Sequence, residues 1–189
     1  MKKVVIIGGG TGLSVMLRGM KHIDDIQLSA IVTVADDGGS TGRIRDSYQI
    51  PAMGDIRHVM CAMAEEESIF TDLMNYRFGG EGDIAGHNLG NLLLLALSQT
   101  TGSFMEAIRT FSRVLKVRGK IIPSTLEIVT LFAIMEDGTI VRGEDNIPKF
   151  RNHIDRVFYQ RDIKATKESL EAIREADLII YGIGSLYTS

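Results

Sequence analysis

An apolar, β-branched run at residues 3–8 breaks off into glycines, and apolar positions at helical spacing follow over residues 12–22. Residues 28–34 form a second apolar run. Strand, helix and strand in that order predict a sheet that is parallel at its centre, with a right-handed crossover. A polar, glycine-rich loop is expected over residues 35–46. Periodicity then predicts helices over 55–66, 68–76, 87–99 and 104–115, with a flexible connection at 79–83. The third of these carries Leu92-Leu93-Leu94-Leu95-Ala96-Leu97, apolar all round, which predicts burial on most faces. Residues 128–135 and 139–141, joined by Glu136-Asp137-Gly138, read as a β-hairpin, and 157–159 as a short strand. A helix over 167–176 and a buried strand over 178–182 complete the pattern.

The last strand runs into Gly182-Ile183-Gly184-Ser185, a turn of the kind that opens a helix, and no helix follows before Ser189. A parallel strand needs cover on both faces. The expectation is a single domain over 1–189 that lacks a C-terminal part, or one whose flank a partner subunit covers, as in a homo-oligomer.

With 189 residues the chain can bury a full core. Its formal net charge of −3 argues against a general nucleic-acid binder. No apolar run reaches the length of a membrane span, and no signal peptide precedes the first strand, so a cytoplasmic location and no membrane partner are expected. The single cysteine, Cys61, lies among Val59, Met60, Ala62 and Met63 and reads as a buried structural thiol.

The chemistry gathers at the glycine turns. Gly8, Gly9, Gly10 and Gly12 with Thr11 stand between a strand and a helix. There, glycines let a ligand approach the backbone, and the first helical N–H groups carry partial positive charge. Such a turn binds phosphate. Leu13 makes it a variant of the dinucleotide fingerprint, and no Gly-Lys-Ser/Thr follows to make a Walker loop. Asp36 and Asp37 follow the second strand, where paired carboxylates hold ribose hydroxyls or a Mg²⁺ ion on a diphosphate; the alternative is a solvated Asp-Asp-Gly-Gly turn. Ser40, Thr41, Arg43 and Arg45 suit phosphate oxygens, or else open a helix with its arginines in solvent. Asp55 reads as a helix N-cap, with His58 one turn on along the same face. His87 and Asn91 share a face, and Asn88 and Asn91 read as ligand contacts entering the leucine-rich helix. His22 and His153 belong to no constellation. No cysteine–histidine spacing suits zinc, no Gly-x-Ser-x-Gly elbow occurs, and no catalytic residue is assigned.

Together, Gly8-Gly9-Gly10-Thr11-Gly12, Ala35-Asp36-Asp37-Gly38-Gly39-Ser40-Thr41-Gly42-Arg43, Gly54-Asp55-Ile56-Arg57, Gly86-His87-Asn88-Leu89-Gly90-Asn91-Leu92, Pro123-Ser124-Thr125 and Gly184-Ser185-Leu186-Tyr187-Thr188-Ser189 resemble the bacterial gluconeogenesis factors. That group is similar to the 2-phospho-L-lactate transferases of deazaflavin cofactor synthesis, and is in this sense CofD-like. The resemblance runs the whole chain in order. It implies a Rossmann-like three-layer α/β fold with a mainly parallel sheet, a β-hairpin and a helical insertion. It further implies a cytoplasmic protein that binds a nucleotide or UDP-sugar and supports growth and cell shape on gluconeogenic carbon sources. The alternative it carries is a Mg²⁺-dependent phospholactyl transferase; the reading leans away from an enzyme. By position, Gly9, Gly10, Thr11 and Gly12 would line phosphates, Ser40 and Arg43 would join them, and Asp36 and Asp37 would hold the metal or ribose. Asn88, Asn91, Gly184 and Ser185 would complete the ligand pocket. The family's last motif usually begins Gly-Pro-Gly, where this chain has Gly182-Ile183-Gly184.

Overall fold

The structure, a computed structural model, describes residues 1–66 and 68–185. Strand β1 (Lys2–Gly8) lies between β2 (Ile26–Val32) and β7 (Leu178–Tyr181), and β3 (Lys120–Pro123) flanks β2. All three pairings are parallel. Alternation along the strands divides the core in two. Val4, Ile6, Leu28, Ala30 and Ile121 join one cluster, while Val5, Ile31 and Ile122 join another. On the first face, helices α1 (Gly10–Met20) and α3 (Gly54–Met63) pack on each other, and α6 (Phe104–Val114) packs on β3. On the second face, α7 (Lys167–Glu175) brings Ala172 and Ile173 onto the sheet. Helix, sheet and helix make the three layers. Ile6, Leu13, Leu17, Ile56 and Leu94 are fully buried in the larger core, each stabilising by roughly 1.5–3 kcal/mol.

Strands β4 (Phe132–Met135), β5 (Ile140–Arg142) and β6 (Ile154–Phe158) form a separate antiparallel sheet in the order β5-β4-β6. The predicted hairpin is its first half, though regular pairing begins only at Phe132. Leu131, Ala133, Met135, Val141 and Ile147 make a small core of their own. Phe132 and Phe158 stack across β4 and β6, with ring centroids 5.5 Å apart.

Several sequence expectations are corrected. Most of the loop expected over 35–46 is helix α2 (Gly39–Tyr48), with Ile44 and Arg45 buried. Its glycines and hydroxyl residues are weak helix formers, so tertiary contacts, not propensity, hold it. Strand β3 escapes the pattern because four residues ending in Pro123 carry no periodicity. Helix α5 (Leu89–Thr101) begins after His87, because the Asn88 side chain accepts the Asn91 N–H at 3.1 Å and caps it. Along α5, Leu94 and Leu95 are buried, Leu92, Leu93 and Leu97 half-buried and Ala96 exposed, so burial is one-sided. Asp55 lies inside the first turn of α3, whose N-cap position is Met53, and it makes no capping bond. Cys61 is buried, as expected. Of the chain's last motif, Leu186, Tyr187, Thr188 and Ser189 lie outside the described residues.

Candidate functional site

The turns after β1, β2 and β7 emerge together, because these strands are parallel neighbours. The Thr33 N–H donates to the Gly8 carbonyl at 3.0 Å, and the Gly182 N–H to that of Ile7 at 2.7 Å. Gly9 caps α1 in an extended conformation. A methyl group there would strike Thr33 and come 2.5 Å from the Asp55 carboxylate, so glycine lets the turns after β1 and β2 close onto the start of α3. Gly10 has φ +65° and faces open space, with nothing within 4 Å. Gly12 packs against the Ile183 carbonyl, which joins the first turn to the last. Gly184 and Ser185 follow, exposed, on the same edge of the sheet.

Asp36 and Asp37 do different things. The Asp36 carboxylate is half-buried, accepts the Gly38 N–H at 2.9 Å and lies against Gly54 and Thr41. Burial pushes its pKa up, and the nearby Asp55 charge adds to the rise. Asp37 instead accepts the Asp145 N–H at 3.1 Å from the small sheet's loop and lies 3.8 Å from Arg45. Arg45, buried, donates to the Val129 carbonyl at 3.0 Å, and so ties α2 to the segment ahead of β4. Among the described residues, no group of three or more His, Cys, Asp or Glu side chains is arranged to hold a metal ion. Of the acidic neighbours that act on Asp36, Asp55 has the larger effect and Asp37 the smaller.

Beneath this lies a buried polar network. Asn91 donates to Ser40 at 3.4 Å and Thr41 at 3.3 Å, and its carbonyl oxygen accepts from the Arg57 Nε at 3.1 Å. The Asn88 N–H donates to Ser40 at 3.1 Å. Ser40, Thr41, Asn88, Asn91 and Arg57 are each at most 4 % exposed. The two asparagines thus form the floor under α2, with Asn88 as a cap. Arg57 also reaches Asn75, the Met74 carbonyl and His58, and burial lowers its pKa. Its pairing with His58 was not legible from spacing; the expected Asp55–His58 pair is 4.0 Å apart.

Arg43 is exposed at the rim and donates to the Ala85 carbonyl at 2.9 Å. Arg77, which carries no sequence signal, stands beside it and donates to the Gly86 carbonyl at 2.7 Å. His87 contacts the Ser40 hydroxyl through Nδ1 at 3.2 Å. Its pKa is pushed down by burial and then by the charges of Arg43 and Arg77.

An open groove of about 1380 Å³ lies at the opposite, amino edge of the sheet and includes Lys3, Gln27, Arg109 and Lys120. Some of its cations are paired, Lys3 with Glu175 at 2.8 Å and Arg109 with Glu168 at 3.0 Å. The carboxyl edge, with its open glycine turns, is the candidate site. Among the described residues, no helix is long and apolar enough to cross a membrane.

A parallel α/β sheet with glycine turns gathered at its carboxyl edge defines a Rossmann-like α/β protein. The chain belongs to the family described as 2-phospho-L-lactate transferase CofD, which matches over residues 4–189. It is 51% identical over 188 residues to the gluconeogenesis factor of Bacillus subtilis, covering 99% of this chain and 59% of that protein. With the gluconeogenesis factor of Listeria innocua it shares 52% identity over 188 residues, 99% of this chain and 58% of the relative. The crystal structure of protein BH3568 from Bacillus halodurans superposes with a TM-score of 0.95 at 51% identity, over 100% of this chain and 60% of that one. The chain therefore spans about three fifths of the length of these relatives.

Proposed function

We propose that this chain carries the phosphate-binding part of a cytoplasmic, UDP-sugar-binding protein of the gluconeogenesis factor type, one that supports growth and cell shape on gluconeogenic carbon sources. The observation that carries this reading is the closure of Gly9 onto Thr33 and Asp55 beside the open face of Gly10. That arrangement leaves backbone and α1's first N–H groups accessible to a diphosphate. Arg43 at the rim supplies a charge-assisted contact, and Gly184 and Ser185 stand on the same edge. The relatives' naming as gluconeogenesis factors supports the physiological side.

Calorimetric titration of the full-length protein with UDP-N-acetylglucosamine tests it. Saturable binding is expected, weakened by about 1.5–3 kcal/mol in Arg43→Ala. Absence of binding at millimolar ligand overturns the reading.

A second reading, a Mg²⁺-dependent phospholactyl transferase, is favoured by the family's description and by Asp36 and Asp55, two carboxylates whose mutual repulsion a cation would relieve. When bound, Mg²⁺ would neutralise charge on a transferring phosphoryl group. Asp36 would hold it with Asp55; Asp37, engaged with Asp145 and Arg45, is the less suited of the two adjacent acids. If Asp36→Asn leaves ligand binding equally sensitive to Mg²⁺, this second reading fails.

A further inference from the structure

We infer that Arg43, Arg77 and His87, with the amino end of α2, form an anion subsite beside the proposed diphosphate site, with which it shares Arg43, and that it takes a phosphoryl group, free or on a small phosphomonoester. The three side chains come from three segments and meet over one glycine. A methyl on Gly86 would lie 3.1 Å from the Arg43 guanidinium, and the Arg77 guanidinium holds the Gly86 carbonyl. A methyl on Gly39, the first residue of α2, would lie 4.0 Å from the same Arg77 group and touch nothing else. Two guanidinium groups and an imidazole are thus gathered at the open end of a ten-residue helix.

Charge makes the arrangement costly in the absence of an anion. Among the described residues, neither Arg43 nor Arg77 has a carboxylate within ion-pair distance. Each spends an N–H on a single carbonyl, Ala85 or Gly86, and a guanidinium carries five. Burial first, and then the charges of Arg43 and Arg77, depress the His87 pKa, the reverse of what an acidic partner would do. Forked N–H donors around a tetrahedral oxyanion would satisfy both arginines at once. The helix end adds donors of the same sign. A carboxylate offers two oxygens in a plane; donors arriving from three segments suit the three oxygens of a phosphoryl group better.

The bland alternative is that both arginines only hold the segment before α5 in place. The two accounts separate by following the His87 imidazole by NMR through a pH titration, in inorganic phosphate and in chloride of equal ionic strength. A parallel arm uses glycerol 3-phosphate. A bound dianion raises the His87 pKa; the expected result is an upward shift in phosphate or in the monoester, abolished in Arg43→Ala/Arg77→Ala and retained in Arg43→Lys/Arg77→Lys. Whichever anion shifts it at the lower concentration identifies free phosphate or the monoester as the ligand. Affinity should fall by about tenfold or more in Arg77→Ala alone. Identical titrations in all three salts overturn the subsite, as does a shift that survives in the double alanine variant. UDP-N-acetylglucosamine binding is measured on the unsubstituted protein: its retention there alongside a silent His87 sinks the subsite alone.

Discussion

The hydroxyl of Ser40, in the first turn of α2, lies 3.2 Å from His87 Nδ1, just ahead of α5. Through this atom a glycine-rich segment with little helical propensity is fastened to a leucine-rich helix. The same hydroxyl accepts the Asn88 N–H and an Asn91 amide hydrogen. Ser40→Ala therefore strands two buried donors. We expect a loss of about 1–3 kcal/mol in chemical denaturation, with α2 exchanging amide hydrogens faster than α5.

Among the described residues, Asn91 is the one side-chain acceptor for the Nε of buried Arg57. Asn91→Leu keeps the volume and removes that acceptor, leaving part of a buried cation unsatisfied. A destabilisation of about 3 kcal/mol is expected, larger than for Ser40→Ala. Equal unfolding midpoints for Asn91→Leu and the parent would contradict the network.

Two glycines in the same stretch should respond oppositely. Gly9→Ala places a methyl into Thr33 and the Asp55 carboxylate, and should cost about 1–3 kcal/mol and perturb ligand binding. Gly19, in α1, meets nothing within 4 Å, so Gly19→Ala should stabilise by about 0.4–1 kcal/mol. Thermal unfolding of the two variants reads both signs.

Asp36 gives a pH signature. Its folded pKa is raised above the ordinary value, by burial first and then by the Asp55 and Asp37 charges, against hydrogen bonds from Gly38 and Thr41. The folded state thus holds its proton more tightly than the unfolded chain. This carboxyl is stability-neutral below pH 3.8, and its penalty grows as pH rises through the raised value. Asp36→Asn should therefore unfold at a higher temperature than the parent at pH 7, and the advantage should shrink toward pH 3.5. A constant difference across that range would show that burial is not the cause.

The parallel sheet and the position of its glycine turns are legible in the sequence because they rest on strong local signals. Apolar runs such as Val4-Val5-Ile6-Ile7 end abruptly in glycine, and Leu13 and Leu17 recur at helical spacing. What escapes rests on distant contacts. Gly39–Tyr48 folds as a helix because Ser40 and Thr41 are bound from α5 and Arg45 reaches Val129. Asp37 turns away from Asp36 because the backbone at Asp145, over a hundred residues on, donates to it. Arg77 sits between Tyr76 and Phe78 with no motif around it, and only the tertiary fold brings it to Gly86.

Hydrogen exchange of the full-length protein with and without UDP-N-acetylglucosamine tests the location of the ligand most directly. Protection should appear together in the turns after β1, β2 and β7, at residues 8–12, 33–43 and 182–185. Protection confined to the amino-edge groove, around Arg109 to Lys120, would contradict the account.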